Sequence, residues 1–172
     1  MLPVTNYPNF KILVIPTSIL FVCLGNICRS PMAEAVFLRI LAREGTSDLF
    51  EIDSAGLLDY HEGELADVRM RAHASVRGYS LAHRSRPVTK DDFNHFDRII
   101  CMDNQNIHGL QQMTTNPHHM AKIRLMTDYC RQMSASQVPD PYYGGDKGFE
   151  NVIDLLEDGC EGLYAGIRDK EK

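Results

Sequence analysis

The segment that most constrains the fold is a short apolar run followed by a small-residue loop and a helical pattern. Residues 19–22 (Ile-Leu-Phe-Val) have the branched and aromatic composition of a buried parallel strand. Pro31 suits the first turn of a helix, and residues 32–41 carry apolar side chains at helical spacing. A strand, a loop and a helix in this order direct backbone amides and the positive end of a helix dipole at one point. We therefore expect an anion to bind there.

The loop itself contains side chains suited to phosphate chemistry. Five residues separate Cys23 from Arg29. Gly25 permits a positive φ or the close approach of a ligand, and Asn26 tolerates the left-handed region better than most residues do, so the loop amides can converge on one anion. Amides, a guanidinium and a helix start stabilise a thiolate, and we expect Cys23 to be an activated nucleophile.

Cys23 is also compatible with a purely structural role as a buried core cysteine. The chain contains five cysteines, and an arginine at this spacing arises easily by chance. None of the other four cysteines precedes an arginine at the same spacing, and none ends a strand before a glycine, an asparagine and a helix. This context favours the catalytic interpretation.

Short apolar runs and helical patterns alternate along the rest of the chain. Further strands are predicted at 50–56, 98–102 and 123–126, helices at 64–78, 103–113 and 149–167, a capped turn at 89–93 and a loop at 134–145. This alternation predicts a single α/β domain with a parallel sheet covered by helices on both faces. Functional loops then lie at the carboxyl ends of the strands, where Cys23, Ser54 and Met102–Asp103 fall.

Composition excludes several classes of function. A length of 172 residues suits one domain, and a net charge of -5 supplies no basic surface for nucleic acid. An odd number of scattered cysteines indicates reduced thiols. No metal-binding spacing occurs, and His118 and His119 beside Pro117 are more simply a solvated loop pair than metal ligands. We expect no metal, no cofactor and no nucleic-acid partner.

The N-terminal segment superficially resembles a signal sequence, because mostly apolar residues follow Lys11 up to Val22. Residues 16–18 (Pro-Thr-Ser) interrupt this run, no small-residue cleavage site follows, and the run is too short to span a bilayer. We expect a cytoplasmic protein with no membrane partner, a domain at 18–172, and an extension at 1–17 of unknown role, either loosely held or an extra edge segment.

A general acid for the chemistry is predicted at Asp140. Thiolate attack on a phosphate ester expels an alkoxide or phenoxide, which leaves poorly unless an acid protonates it. Asp140 lies between Pro139 and Pro141, which stiffen the loop, although an ordinary aspartate in a proline turn explains the same pattern. Tyr142 and Tyr143 follow directly, and they are either walls for an aromatic leaving group or loop aromatics that cover the core.

The stretch VCLGNICRSPMAEAVF together with DPYYGG near the C-terminus resembles the low molecular weight protein tyrosine phosphatases. The similarity in order and spacing runs from about Ile19 to the end of the chain. It implies a four-stranded parallel α/β domain, a metal-free two-step mechanism and phosphotyrosine-containing protein substrates. We expect a monomer or a weak dimer.

The resemblance also implies roles for individual residues. Cys23 matches the nucleophile, Arg29 the bidentate phosphate clamp, Asp140 the general acid and base, and Ser30 the hydroxyl that helps the thiolate to leave. The phosphate-binding loop corresponds to Leu24, Gly25, Asn26, Ile27, Cys28 and Arg29, and its supporting network to Asn26, Ser54 and His83. Leu24 and Ile27 are expected to touch the substrate ring.

The resemblance does not assign a single role to two positions, Tyr60 and Cys28. Tyr60 occupies the place of a pocket residue that differs among family members; mammalian members favour tryptophan there, and residues 57–63 are closer to bacterial ones. Cys28 lies in the same small loop as Cys23, so it is either a partner in a reversible disulfide that protects the nucleophile or a small buried filler. The resemblance favours the redox role.

Two other functions fit part of the sequence: an arsenate reductase of the same fold and a catalytically silent phosphate-binding module. Thioredoxin-coupled arsenate reductases share the loop, but they need two further cysteines. Cys101 falls near the position of the first of these. The second is expected seven residues later, where this chain has His108. A catalytically silent phosphate-binding module would need none of Cys23, Ser30 and Asp140. The phosphatase is therefore the preferred hypothesis.

Overall fold

The computed structural model describes residues 4–7 and 10–170. Within that part of the chain the strands are β1 (Val4–Tyr7), β2 (Phe10–Leu13), β3 (Thr17–Cys23), β4 (Phe50–Gly56), β5 (Arg98–Cys101) and β6 (Ile123–Leu125). The last four form one sheet in the order β4-β3-β5-β6, and all its neighbouring strands are parallel. The predicted four-stranded parallel α/β fold is confirmed.

Helices connect the strands and cover the sheet. They are α1 (Arg29–Glu44), α2 (Val68–Val76), α3 (Asp92–His95), α4 (Asn104–Met113), α5 (Pro117–Ala121) and α6 (Gly145–Lys170), with 3₁₀ turns at Ser47–Leu49, Met126–Tyr129 and Pro141–Tyr143. Within the described residues, no helix has both the length and the apolarity needed to cross a membrane.

Strand β3 pairs with a strand on each side, β4 and β5, and both of its faces are buried. Ile19 and Phe21 pack in the cluster that includes Phe37 of α1 and Leu156 of α6. Leu20 and Val22 belong to the cluster on the opposite face, with Phe93 of α3 and Leu110 of α4. A continuous apolar run is what a strand covered on both faces requires, and it holds the end of β3 firmly in the core.

Three helices begin at places that differ from the sequence-based expectation. Helix α2 begins at Val68, not at residue 64, because the Asp67 carboxylate accepts the Arg69 N–H at 2.8 Å and caps the helix there. Helix α6 begins at Gly145, four residues before the predicted start. The turn predicted at 89–93 becomes α3 from Asp92, whose carboxylate accepts the Thr89 N–H at 2.7 Å.

The histidine pair at 118–119 was expected in a solvated loop, and this expectation was wrong. Both residues lie in α5. The His119 Nε2 atom is 2.9 Å from Asn94 Oδ1, and its ring stacks on Phe93 with centroids 5.5 Å apart. His119 thus joins α5 to α3, which gives it a packing role.

The predicted N-terminal extension contains two paired strands. Strands β1 and β2 pair with each other in antiparallel register and form their own two-stranded sheet, separate from the four-stranded one. Thr17, the last residue of the predicted extension, is the first residue of β3.

Candidate active site

The phosphate loop, residues 23–30, runs from the carboxyl end of β3 into the first turn of α1. The Cys23 Sγ atom accepts the Asn26 N–H at 3.3 Å and lies 3.0 Å from the Ser30 hydroxyl oxygen. Asn26 has a φ of 56°, and among the described residues other than glycine it alone has a positive φ. The loop therefore curls around the sulfur and presents it to the positive end of the α1 dipole, as the sequence predicts.

Arg29 is held beneath this loop by acceptors from two other segments. Its Nη1 donates to Asp103 Oδ2 at 2.6 Å and to the Val138 carbonyl oxygen at 3.2 Å, and its Nη2 donates to Asp140 Oδ2 at 3.3 Å. The arginine side chain is only 3% exposed. Burial alone would lower the pKa of Arg29, but the neighbouring Cys23 and the carboxylates outweigh burial and raise that pKa.

The acid loop, residues 138–144, lies over the same site. The Val138 N–H donates to the Met102 carbonyl at the end of β5, at 2.8 Å. The Asp140 Oδ1 atom accepts the Tyr142 N–H at 3.1 Å and begins the 3₁₀ turn, with Pro141 in its first position. The Asp140 side chain is 46% exposed, so the carboxylate, which accepts from Tyr142 at one oxygen and from Arg29 at the other, is still open to substrate.

These groups converge on one cavity of about 230 Å³. The structure brings together most of the predicted catalytic and pocket residues, and it adds Leu58 and His61. The lining consists of Cys23, Leu24, Gly25, Ile27, Cys28, Arg29, Leu58, Tyr60, His61, Asp140, Tyr142 and Tyr143. Tyr60 and Tyr143 are 83% and 92% exposed, so they form a rim, whereas Tyr142 at 46% is partly packed.

The predicted supporting residues lie directly behind the loop. The Asn26 amide nitrogen donates to the hydroxyls of Ser30 and Ser54 at 2.8 and 3.0 Å. Its carbonyl oxygen accepts the Arg86 N–H at 3.0 Å and lies 2.9 Å from His83 Nε2. Every polar atom of this side chain is therefore used, which stabilises the positive φ of Asn26 against the strain it carries.

A cluster of charged groups lies behind this network. The Ser54 hydroxyl donates to Glu34 Oε2 at 2.6 Å, and His83 Nδ1 lies 3.3 Å from the same oxygen. Burial raises the pKa of Glu34 to about 7 and lowers the pKa of His83. Near pH 7 the Glu34 carboxyl is therefore about half protonated, and the neutral form of His83 is favoured.

Glu34, Asp53 and His83 also have the residue types of a metal site. Their ligand atoms lie within 4.8 Å of one another. Arg86 already pairs with Asp53 at 2.8 Å, and the Ser54 hydroxyl binds Glu34. Since protein donors already compensate both carboxylates, the cluster is best described as a network that supports the phosphate loop.

Cys28 lines the cavity beside Arg29 and is 5% exposed. Both Cys23 and Cys28 are free thiols. Burial raises the pKa of the Cys28 thiol well above its usual range, and nearby Asp67 raises it further. The Cys28 side chain is therefore a protonated thiol at neutral pH.

Sequence reasoning assigned no role to several residues that complete the site, although it placed Asp103 in a functional loop. Asp103 binds Arg29 with one carboxylate oxygen and caps α4 with the other, through the Asn106 N–H at 2.8 Å. Its place at the carboxyl end of a strand was the available signal. Arg69 carried no such signal, since it belongs to no motif. Glu34 lies within the stretch VCLGNICRSPMAEAVF, but no role was inferred for it.

Comparison with known proteins supports this description. The family model described as "Low molecular weight phosphotyrosine protein phosphatase" matches residues 18–172. The low molecular weight protein-tyrosine-phosphatase YfkJ of Bacillus subtilis is 42% identical over 158 residues, covering 90% of this chain and 97% of its own length. A low molecular weight protein-tyrosine-phosphatase of Streptomyces coelicolor is 40% identical over 152 residues, covering 87% of this chain and 93% of its own.

Solved structures agree with the sequence comparison. A crystal structure of a protein tyrosine phosphatase from Entamoeba histolytica is 46% identical, superposes with a TM-score of 0.87, and covers 91% of this chain and 99% of its own. Similarity of this extent in both sequence and structure shows common family membership. The chain belongs to the low molecular weight phosphotyrosine protein phosphatase family.

Proposed function

We propose that the protein hydrolyses phosphotyrosine monoesters of proteins through a cysteinyl-phosphate intermediate on Cys23. This proposal rests on one observation. The thiol of Cys23, the buried guanidinium of Arg29 and the exposed carboxyl group of Asp140 line the same cavity. Together these groups supply attack, charge stabilisation and proton transfer.

In the first step the Cys23 sulfur attacks phosphorus, so that an S–P bond forms while the P–O bond to the tyrosyl oxygen breaks. Asp140 transfers its proton to that oxygen, and the product leaves as neutral tyrosine. Arg29 and the loop amides bind the oxygens of the transferring phosphoryl group. A planar guanidinium presents paired N–H donors, so arginine fits this role better than lysine.

In the second step water attacks the phosphoryl group, and Asp140, now a carboxylate, accepts a proton from the water. The S–P bond breaks and Cys23 leaves as a thiolate. Ser30 assists this departure, because its hydroxyl oxygen is 3.0 Å from the sulfur and can donate to the developing negative charge. Inorganic phosphate is released and the enzyme returns to its starting state.

The cavity rim favours an aromatic phosphoester. Leu24 and Leu58 are 38% and 49% exposed, so they offer apolar surface beside the exposed rings of Tyr60 and Tyr142. Ile27 adds a partly buried apolar wall. A tyrosyl ring would pack against such surfaces, while its phosphate reaches the loop.

The structure weighs against the two other functions considered from the sequence. An arsenate reductase needs a thiol that can leave the core and relay electrons, whereas Cys101 is fully buried in β5 and burial raises its pKa. A binding module does not need an anchored acid, whereas Asp140 is held by the Tyr142 N–H and Arg29.

The mechanism is tested with p-nitrophenyl phosphate and a phosphotyrosyl peptide in the presence of a metal chelator. Cys23→Ser is expected to lower turnover by about 10³-fold or more, and Asp140→Ala by about 10²-fold. Cys130→Ser, which changes a thiol outside the cavity, is the control and should retain activity. Undiminished turnover in the Cys23 variant would refute the mechanism, and phosphate binding without turnover in the unmodified protein would indicate a binding module.

We also propose that Cys28 protects Cys23 from overoxidation. Peroxide converts the Cys23 thiolate to a sulfenic acid, and the Cys28 thiol condenses with it, so that an S–S bond forms and water is released. Two observations support this role: both residues belong to one loop, and both line one cavity.

The protective role is tested by treating the protein with mild peroxide and then with a thiol reductant. Cys28→Ser is expected to recover several-fold less activity than the unmodified protein, because its Cys23 proceeds to irreversible sulfinic acid. Mass spectrometry should detect the disulfide in the unmodified protein. Equal recovery in both proteins would leave Cys28 as a buried filler.

A further inference from the structure

The Arg69 side chain connects α2 to the acid loop. Its Nη1 donates to the Tyr142 carbonyl oxygen at 3.1 Å. Its guanidinium carbon lies 4.9 Å from the centroid of the Tyr142 ring and 5.1 Å from that of Phe149 at the start of α6. One side chain therefore holds Tyr142 through both its backbone and its ring.

The opposite side of the same guanidinium is fixed by Asp67. Arg69 Nε and Nη2 donate to the two oxygens of this carboxylate at 3.0 and 2.9 Å, in the paired geometry that orients a guanidinium. The Asp67 N–H in turn donates to the Ile27 carbonyl oxygen of the phosphate loop at 2.7 Å. The hydrogen bonds formed by Asp67 and Arg69 thus join the loop of the nucleophile to the loop of the acid.

We propose that Arg69 is a positioning residue that sets the placement of Asp140 relative to Cys23. This inference rests on the proposed function, in which Asp140 is the general acid. Arg69 does not line the cavity, so it acts through Tyr142, whose N–H binds Asp140 Oδ1.

Asp140 needs such support because it has few anchors of its own. Its side chain is 46% exposed, and its described hydrogen bonds are those to Tyr142 and Arg29. In the substrate complex Arg29 turns its donors to the phosphate, which leaves the Tyr142 N–H as the contact that fixes the carboxyl group. Because Arg69 holds the carbonyl and the ring of Tyr142, it fixes the direction of that N–H, and displacement by about 1 Å is enough to slow proton transfer severely.

The test compares substrates whose leaving groups need protonation to different degrees. The quantity measured is kcat/KM, which reports the step up to formation of the cysteinyl phosphate. Arg69→Ala should lower kcat/KM about 10-fold for phenyl phosphate and less than about 3-fold for p-nitrophenyl phosphate, whose better leaving group depends less on an acid. Arg69→Lys should recover part of the loss, since an ammonium can donate to the Tyr142 carbonyl but cannot make the paired contact with Asp67.

Arg39 provides a matched control. Its guanidinium carbon lies 3.6 Å from the centroid of the Tyr79 ring, and its Nη1 donates to the Arg77 carbonyl at 2.8 Å. It therefore combines the same two kinds of contact at a place away from the acid loop. Arg39→Ala should leave the ratio of kcat/KM values for the two substrates unchanged. An equal loss on both substrates in Arg69→Ala would overturn the inference.

A double variant separates this inference from the proposed function. Asp140→Ala should itself lower kcat/KM more for phenyl phosphate than for p-nitrophenyl phosphate. Adding Arg69→Ala to this variant should lower kcat/KM by less than about a further 2-fold. If Asp140→Ala shows no such difference between substrates, the proposed function fails. If Asp140→Ala shows the difference and neither Arg69 variant does, only the role of Arg69 fails.

Discussion

The two loops that form the active site are held in opposite ways. In the phosphate loop, Asn26, Arg29 and Ser30 are each no more than 2% exposed, and their polar atoms are bonded from behind. In the acid loop, Tyr143 is 92% exposed, and Asp140 is anchored by two hydrogen bonds. The proposed nucleophile loop is therefore held by buried contacts, whereas the proposed acid is open to solvent and held by Tyr142 and Arg29 alone among its described hydrogen bonds.

This difference separates two kinds of sensitivity to mutation. Changes behind the phosphate loop should reduce stability and activity together, because the same buried groups serve both. Changes in the acid loop should alter activity with little effect on stability, because exposed side chains contribute little to the free energy of unfolding.

The largest effect is expected from the buried pair of Arg29 and Asp103, whose side chains are 3% and 12% exposed. Asp103→Ala leaves the guanidinium without its closest partner and should lower the free energy of unfolding by about 4 kcal/mol, and kcat/KM by about 10²-fold. Chemical denaturation and steady-state kinetics measure the two losses.

Asp103→Asn serves as the matched control, since asparagine also caps a helix and retains the bond to the Asn106 N–H. It should recover about 1 kcal/mol of the stability lost in Asp103→Ala but little of the activity. Full activity in Asp103→Asn would show that the charge of Asp103 does not orient Arg29.

The second effect concerns Asn26, whose side chain bonds four partners and whose φ is positive. Asn26→Ala should lower the free energy of unfolding by about 3 kcal/mol, because it leaves buried partners unpaired and places a Cβ in the left-handed region. Asn26→Gly loses the same bonds without the strain and should be about 1 kcal/mol more stable than Asn26→Ala. Equal stability of the two variants would mean that backbone strain is unimportant here.

The third effect is a dependence of stability on pH that arises from Glu34. Burial raises its pKa from 4.5 to about 7, so between these values the folded state binds more protons at Glu34 than the unfolded chain does. Raising the pH through this window should therefore lower the free energy of unfolding, by about 3 kcal/mol for this group.

Glu34→Gln keeps the shape of the side chain and cannot ionise. The difference in stability between the unmodified protein and this variant should change across pH 4.5 to 7 and be constant above it, as followed by denaturation at several pH values. A difference that is the same at every pH would show that Glu34 ionises in the folded protein as it does in the unfolded chain.

The contrast between the loops also explains what the sequence predicted. The phosphate loop and its flanking strand and helix are contiguous, so periodicity and Asn26 were enough to predict their geometry; the positive φ lies at Asn26 and not at Gly25. Asp140 was predicted because prolines on both sides marked a stiff loop. The fold followed from the alternation of strands and helices. The errors were local: they fell at helix starts, where a single cap such as Asp67 decides the boundary, and at residues 117–121, which form α5 and not a loop.

The residues that sequence reasoning missed act across long distances in the chain. Arg29 and Asp103 are 74 positions apart, and Arg69 and Tyr142 are 73 apart. No local spacing encodes such pairs, since the packing of whole elements brings them together. The catalytic groups and the supporting residues Asn26, Ser54 and His83 were predicted. The roles of Asp103 and Arg69, which hold Arg29 and Tyr142, were not.

The smallest effect is expected at the exposed rim of the acid loop, where two adjacent tyrosines differ in their contacts. Tyr143 is 92% exposed, so Tyr143→Ala should change the free energy of unfolding by less than about 0.5 kcal/mol. Tyr142 lies against the Arg69 guanidinium, and Tyr142→Ala removes that ring contact together with one wall of the cavity. The kcat/KM of Tyr142→Ala for phenyl phosphate should therefore fall about 5-fold further than that of Tyr143→Ala. The free energy of unfolding of both variants should stay within about 1 kcal/mol of that of the unmodified protein. Equal kinetic losses at the two positions would mean that the ring against Arg69 and the more exposed ring serve the substrate alike, and that the acid loop does not depend on the anchoring of Tyr142.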